Sequence, residues 1–276
     1  MFPELFAIGS FSFRTFILFL VASFLLSAFV FWRKGREEHY PEDQLFDVFL
    51  LSFCVGSVAS RMGYILFHLE QFAFNPLTWL DLFRNAGFNG LIGIVFGGFY
   101  VYRIADKKKW DAFEILDFWT ISLTLGLGLI YLGQFFDGSG VGYPTSLPVG
   151  IQFDGLFEPV HPVQLYQSVF FIGLSAYLSW AEFRYRNFRW YRAGKKSAQT
   201  GFLVAMALLT SGIFSFFISF VKPPLIEIVG SNIDQLLSLF VAAIGGMVLY
   251  HRSGRPLPFT REKKKQQKRV ERLRVQ

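Results

Sequence analysis

Polar residues that could do chemistry collect where two long apolar runs of this chain meet a loop. Gln134 and Asp137 end one run, and His161, Gln164 and Tyr166 begin the next. An imidazole or a carboxylate could accept a proton there, and an amide or a phenol could position a substrate by hydrogen bonding. The sequence therefore predicts a polar site at the point where both runs leave the apolar medium.

Two further polar residues have alternative interpretations. His161 precedes Pro162 at the expected first turn of a helix, where a histidine also serves as a capping or hydrogen-bonding group. Arg61 lies inside an apolar run, where a central arginine costs roughly 2.5 to 3.5 kcal/mol on translocon scales. It must face a partner, a cavity or a lipid headgroup, but pairing with a carboxylate, pairing with backbone carbonyls or snorkelling would satisfy it equally well.

The remaining polar residues in the runs suggest structure more than chemistry. Asp117 lies near the start of a run, where pairing with Arg103 or with a lysine of the preceding loop would explain it. Four histidines without a cluster of carboxylates predict no metal site, and we expect no cofactor.

Seven apolar runs must position these residues, and each is close to the ~20 residues that a helix needs to cross the hydrocarbon. The runs are 13–32, 45–67, 88–104, 114–136, 162–182, 201–221 and 232–250. The whole chain is 53% hydrophobic and contains 36 phenylalanines. The runs and this composition together predict an all-α integral membrane protein, a seven-transmembrane helix bundle. One membrane domain would cover 1–250, followed by a basic tail at 251–276.

The distribution of positive charge predicts the orientation of this bundle. All Lys and Arg residues except Arg14, Arg61, Arg84 and Lys222 fall at one side of the runs. By the positive-inside rule the N-terminus lies outside and the C-terminus is cytoplasmic. Two outer loops, 68–87 and 137–160, would then form a small extracytoplasmic cap. The second is rich in Gly and Pro, which favour tight turns, and Gly150 to Phe153 could form a short strand.

The net charge of +7 and the basic tail raise the possibility of nucleic-acid binding. A basic segment directly after a last span is more simply a topology anchor attracted to anionic lipid, at ~1 kcal/mol per residue near the surface. We therefore expect no nucleic-acid partner. Gly93 and Gly97 have the spacing of a helix-dimer motif, but packing within the bundle explains them, so we expect a monomer.

Motifs along nearly the whole chain resemble those of the prolipoprotein diacylglyceryl transferase family. They are IGSFSFR from residue 8, GSVASRMGYILF from 56, NGLIG from 89, GQFFDGSGVGYPTSLPVGIQF from 133, HPVQLYQ from 161 and DQLLSL from 234. Members are bacterial multi-pass enzymes of the cytoplasmic (inner) membrane that act in lipoprotein biosynthesis. The resemblance implies transfer of a diacylglyceryl group from phosphatidylglycerol, or another anionic phospholipid, to the lipobox cysteine in a prolipoprotein signal peptide.

The chain departs from the family at several polar positions. In place of the family's tyrosine, histidine, arginines, asparagines and glutamates it has Phe16, Phe88, Tyr131, Gln134, Asp137, Ser139, Gln167, Ser215, Ser219 and Lys222. The reaction needs a nucleophilic thiol and stabilisation of a glycerol phosphate leaving group. The resemblance therefore implies Arg61 and Lys222 at the phosphate, with Gln134, Gln164 and Tyr166 shaping the pocket. His161 or Asp137 would be the base and Tyr131 a hydroxyl donor.

Three interpretations remain open at the level of sequence. The first is a divergent diacylglyceryl transferase. The second is a catalytically degenerate family member that binds a lipid or a lipobox, or performs another lipid reaction. The third is an unrelated seven-helix transporter or receptor.

Overall fold

The computed structural model describes residues 4–8, 11–72, 78–79, 81, 87–186, 199–223, 227–228 and 231–252. Its elements in chain order are β1 (Glu4–Ile8), β2 (Phe11–Arg14), α1 (Thr15–Glu37), α2 (Glu42–Phe67), α3 (Leu69–Phe72), α4 (Gly90–Lys107), α5 (Ala112–Asp137), α6 (Val163–Arg186), α7 (Phe202–Ile218), β3 (Glu227–Ile228), β4 (Ser231–Asn232) and α8 (Ile233–Arg252). Two antiparallel pairs, β1 with β2 and β3 with β4, are short additions that the sequence did not predict.

A helix occupies most of each of the seven apolar runs, and four of these helices are long and apolar enough to cross a membrane: α1, α2, α5 and α8. Helix α7 is equally apolar but shorter. Large apolar side chains point outwards, with Val169 and Met247 each 72% exposed. An outward apolar surface of this kind suits contact with lipid, so the protein is an all-helical membrane protein.

Helix α5 lies at the centre of the bundle, in contact with α1, α4, α6 and α7. Ser23 and Ser27 of α1 donate their hydroxyls to the carbonyls of Gly126 and Ser122 on α5, both at 2.9 Å. Hydroxyl-to-carbonyl bonds between helices of this type satisfy polar groups where there is no water. They fix α1 against the helix that ends at the predicted site.

Small residues bring the other helix pairs into close contact. A Cβ at Gly56 of α2 would lie 2.9 Å from the carbonyl oxygen of Gly93 on α4, and the reverse distance is 3.0 Å. A Cβ at Gly212 of α7 would lie 2.5 Å from the backbone nitrogen of Ala242 on α8. The spacing of Gly93 and Gly97 is therefore used within the bundle, where both face α2.

Polar contacts tie the helices together at the end away from the loop between α5 and α6. Asp117 of α5 accepts hydrogen bonds from the backbone nitrogens of Gly201 (2.8 Å) and Val204 (3.0 Å), so it caps the start of α7. The sequence pointed to Arg103 or a lysine as its partner, and the structure adds this capping role. Lys34 of α1 forms an ion pair with the buried Glu182 of α6.

Tyr40, between α1 and α2, joins the same end of the bundle to α5. Its hydroxyl donates to Glu114 at 2.5 Å, and its ring packs on Trp110. Burial, and then the hydrogen bond to Glu114, raise the pKa of Tyr40 well above its ordinary value. The phenol therefore stays a hydrogen-bond donor throughout the physiological pH range.

Candidate functional site

The loop between α5 and α6 begins with two turns that require glycine. Gly138 caps α5 at φ +75°, and Gly140 follows at φ +74°. The backbone nitrogen of Ser139 bonds back to the carbonyl of Gln134 at 3.1 Å. The chain therefore reverses immediately after Asp137 and crosses towards α6.

A ladder of backbone hydrogen bonds then joins three helix ends. The nitrogen of Gly142 donates to the carbonyl of His161, and the nitrogen of His161 donates to the carbonyl of Tyr143, both at 3.0 Å. The nitrogen of Tyr143 donates to the carbonyl of Val221, just beyond α7, at 2.9 Å. The loop therefore fastens the end of α5 and the start of α6 to the end of α7, directly beside Lys222.

Isolated antiparallel β-bridges continue this ladder into the middle of the loop. Val160 pairs with both Pro144 and Ile151, and no strand forms at Gly150 to Phe153. The sequence suggested a short strand at this point. Pro144 and Pro148 lack the N–H groups that a longer ladder would need.

His161, just before α6, and Tyr166, in the first turn of α6, lie side by side. The Nδ1 atom of His161 lies 3.5 Å from the hydroxyl of Tyr166, and the tautomer decides which of them donates. Both side chains are partly exposed. The pair could therefore reach a substrate while the phenol orients the ring.

Gln164 is a fully buried amide on the same helix turn. Its Nε2 atom donates to the carbonyl of Ser139 at 2.7 Å, which joins α6 to the first loop turn. Its Oε1 atom is buried and has no hydrogen-bond partner among the residues described. An acceptor without a partner is costly in a protein interior, so this position favours a donor from a substrate or a water molecule.

Lys222 supplies a positive charge beside this loop. It is half-buried after the end of α7. Burial lowers its pKa from the ordinary 10.5, and the nearby Asp234 of α8 acts in the opposite direction. A partly desolvated ammonium gains more from an incoming phosphate than an exposed one does, because little water screens the pair.

The site residues on α5 lie at different depths. Asp137 ends the helix and is partly exposed, and a Cβ at Gly140 would lie 3.7 Å from Oε1 of Gln134. Tyr131 lies six residues before Asp137, which corresponds to about 9 Å along the helix axis. Its ring stacks on Phe171 of α6 at 5.6 Å between ring centres. Tyr131 therefore lies below the other site residues, packed against α6.

Arg61 belongs to a separate cluster at the end of α2. Its side chain is 7% exposed and donates to the backbone oxygens of Trp79 (3.0 Å), Gly87 (3.0 Å) and Asp81 (3.4 Å). Its guanidinium also lies over the ring of Phe72, 5.0 Å from the ring centre. Pairing with backbone carbonyls was one of the alternatives open from the sequence, and the structure shows such pairing.

The structure thus brings together most of the residues singled out in the sequence. Gln134, Asp137, His161, Gln164, Tyr166 and Lys222 share one end of the bundle, with Tyr131 below them. Sequence reasoning missed Gly142, where a Cβ would lie 2.5 Å from the carbonyl oxygen of Val221. The signal was available, because the loop spaces Gly138, Gly140 and Gly142 at every second position.

Comparisons with known proteins concern the chain as a whole. A family model described as prolipoprotein diacylglyceryl transferase matches residues 3–251. A phosphatidylglycerol–prolipoprotein diacylglyceryl transferase from Clostridium tetani is 26% identical over 77% of this chain and 82% of its own length. A protein of the same name from Aeromonas hydrophila is 28% identical over 93% of this chain and 92% of its own.

Proposed function

The chain belongs to the prolipoprotein diacylglyceryl transferase family, and we propose that it transfers a diacylglyceryl group from phosphatidylglycerol, or another anionic phospholipid, to the lipobox cysteine of prolipoproteins. It would act as a monomer that spans the bacterial cytoplasmic membrane seven times. The charge distribution supports an outward-facing loop between α5 and α6, because residues 137–161 contain no Lys or Arg. Both the exported cysteine and the outer-leaflet lipid would then meet at this loop.

The observation that carries the proposal is the joining of three helix ends around polar side chains. The bonds from Gly142 to His161 and from Tyr143 to Val221 hold α5, α6 and α7 together beside Lys222. Such a site combines a cation with amide, phenol and imidazole groups at one end of an apolar bundle. Polar groups at the end of an apolar bundle suit a phospholipid substrate, because its headgroup is polar and its acyl chains must stay in lipid.

The reaction forms one carbon–sulfur bond and breaks one carbon–oxygen bond. The cysteine thiol gives up its proton, and its sulfur attacks the terminal glycerol carbon of the diacylglyceryl group. The bond from that carbon to the phosphate oxygen breaks, and glycerol phosphate leaves with the electron pair. The developing negative charge on the phosphate is the main electrostatic demand on the site.

We propose that Lys222 stabilises this negative charge, with the Gln134 amide and the Tyr131 hydroxyl as additional hydrogen-bond donors. Positioned donors are effective because they are already aimed at the place where charge develops, and removing one costs on the order of a hundredfold or more in rate. His161, oriented by Tyr166, accepts the thiol proton, with Asp137 as the alternative base. Gln164 positions the substrate from below through its buried carbonyl oxygen.

Arg61 supports the site indirectly in this proposal. The sequence suggested that it binds the phosphate, but its guanidinium donates to three backbone oxygens of the segment that follows α3. We assign it to holding that segment over the outer end of α2, so that it affects substrate binding through the cap.

Mass spectrometry of a lipobox peptide tests the proposal. The purified protein in liposomes containing phosphatidylglycerol should add a diacylglyceryl mass to the cysteine and release glycerol phosphate. Lys222→Ala should abolish the addition while the protein stays folded, and Lys222→Arg should retain part of it. An unmodified peptide, beside an active Aeromonas hydrophila control, would instead favour a lipid- or lipobox-binding protein that lacks the reaction.

A further inference from the structure

A groove with no role in the proposed reaction lies on the outer side of the loop between α5 and α6. It has a volume of about 330 Å³ and is lined by Pro144, Thr145, Ser146, Glu158 and Pro159. It is continuous in sequence with the site, because Pro144 follows Tyr143, which bonds to Val221 beside Lys222. A molecule in this groove would therefore be held by the same loop that lies beside the proposed reaction centre.

The walls of the groove are fixed by hydrogen bonds. The backbone nitrogen of Thr145 donates to the carbonyl of Pro159 at 2.8 Å, and the Thr145 hydroxyl accepts from the nitrogen of Leu147 at 3.2 Å. Pro144 pairs with Val160 in the bridge beneath them. Two proline rings stiffen the walls further, so the groove needs little rearrangement to receive a ligand.

One rim of the groove presents a large apolar side chain to solvent. Phe157 is 99% exposed and directly precedes Glu158. The turn that presents it is ordered: Phe153 is buried against Phe135, and Gly155 has the left-handed φ of +83°. This ring gives the rim an apolar group that a bound partner could cover, next to the carboxylate of Glu158.

The charge of this rim distinguishes between two kinds of partner. Glu158, in the groove lining, is exposed, and so is Asp154 on the preceding turn outside the lining; residues 137–161 contain no Lys or Arg. Carboxylates repel the anionic headgroups that this enzyme family uses, so the rim is poorly suited to lie on an anionic bilayer surface. A polypeptide with a basic and an apolar side chain matches it on both counts.

We propose that the groove binds the exported polypeptide segment that follows the lipobox cysteine, extended, with a basic side chain at Glu158 and an apolar one on Phe157. This inference rests on the proposed function and on the outward orientation of the loop. An extended segment advances ~3.3 Å per residue, and the proposal places residues a few positions after the cysteine in the groove while the thiol occupies the site. The groove therefore selects among prolipoproteins without taking part in the chemistry.

A reciprocal charge experiment tests this directly. Two lipobox peptides differ only in carrying Lys or Glu three residues after the cysteine, and each is assayed with the native protein, Glu158→Gln and Glu158→Lys. The native protein should show the lower KM for the Lys peptide, Glu158→Gln should remove the preference, and Glu158→Lys should reverse it. Each step should be up to about fivefold, as expected for a partly exposed ion pair. The KM for phosphatidylglycerol should not change.

Asp154→Lys is the matched control, because it makes the same charge change on the same loop outside the groove lining. An equal reversal with this variant would show a general field effect and overturn the groove assignment. The groove assignment would also be overturned if active Glu158→Gln and Glu158→Lys variants showed the same peptide preference as the native protein.

Photocrosslinking separates failure of this inference from failure of the proposed function, since it needs no turnover. A benzoylphenylalanine incorporated at position 157 should crosslink to the peptide in liposomes, and the adduct should diminish when the peptide is shortened to end at its cysteine. Crosslinks mainly to phospholipid would mean that the rim contacts the bilayer, and the inference would be wrong. If the native protein modifies neither peptide but crosslinks to them, the reaction assignment fails and the groove assignment stands.

Discussion

The backbone nitrogen of Tyr143 donates to the carbonyl of Val221 at 2.9 Å, across a sequence separation that includes all of α6 and α7. This bond joins the loop after α5 to the chain that follows α7, beside the only Lys of that segment, Lys222. The neighbouring Gly142 makes the approach possible, since its missing side chain leaves room for Val221. The position of Lys222 relative to His161 therefore depends on this close contact between two backbones.

Gly142→Ala should disturb the site without unfolding the bundle. The new Cβ would lie 2.5 Å from the Val221 oxygen and 2.8 Å from the Cβ of His161, so the backbone must move. Overpacking of this kind costs about 1 to 3 kcal/mol, and we expect transfer activity to fall more than tenfold while the helical circular dichroism is retained. Gly173→Ala, on the open side of α6, is the control, because a Cβ there meets nothing within 4 Å. Equal activity of the two variants would show that the contact is dispensable.

Binding of the anionic lipid should weaken as the pH rises, and it should do so at a lower pH than if the phosphate were bound by a lysine with the ordinary pKa. Burial lowers the pKa of Lys222 from 10.5, so its charge is lost as pH rises through that lowered value. The KM for phosphatidylglycerol, or the binding of a fluorescent analogue, should therefore rise before pH 10.5. Lys222→Arg should bind through this range, since arginine stays protonated. An unchanged pH dependence in Lys222→Arg would exclude Lys222 as the phosphate ligand.

The sequence predicted the helices well because each apolar run is long enough to specify one element without help from the rest of the chain. It also predicted that the polar residues at the ends of α5 and α6 lie at the same end of the bundle, because two consecutive helices joined by a loop must share a membrane face. Their roles in a site stay a prediction. The partners of individual side chains were harder to predict. Asp117 binds Gly201, 84 residues away, and Gln164 binds the backbone of Ser139, contacts that depend on how the loops are traced in space.

Arg61 provides a test of whether an arginine at membrane depth binds substrate or supports structure. Arg61→Ala removes donors to three backbone oxygens, and hydrogen bonds to charged groups contribute about 1.5 to 3 kcal/mol each. We expect a clearly lower thermal stability in detergent. Arg61→Lys should rescue it poorly, because an ammonium cannot reproduce the planar fork of donors. A direct phosphate role would appear differently, as a higher KM for the lipid at unchanged stability.

The cap that Asp117 provides to α7 should contribute strongly to the stability of the protein, although Asp117 lies far from the loop between α5 and α6. Its carboxylate is 1% exposed and satisfies the backbone nitrogens of Gly201 and Val204 at the start of α7, the helix that carries Lys222 beyond its other end. Loss of an N-cap costs about 0.5 to 2 kcal/mol, and burial places Asp117→Ala at the upper end of that range. Asp117→Asn keeps one acceptor oxygen and should lose less.

The exposed cap of α5 offers a comparison, since the Asp111 carboxylate accepts hydrogen bonds from the backbone nitrogens of Phe113 and Glu114 in the same way. Thermal unfolding of the three variants should rank Asp117→Ala as the least stable, and a larger loss in Asp111→Ala would contradict a special role for the α7 cap.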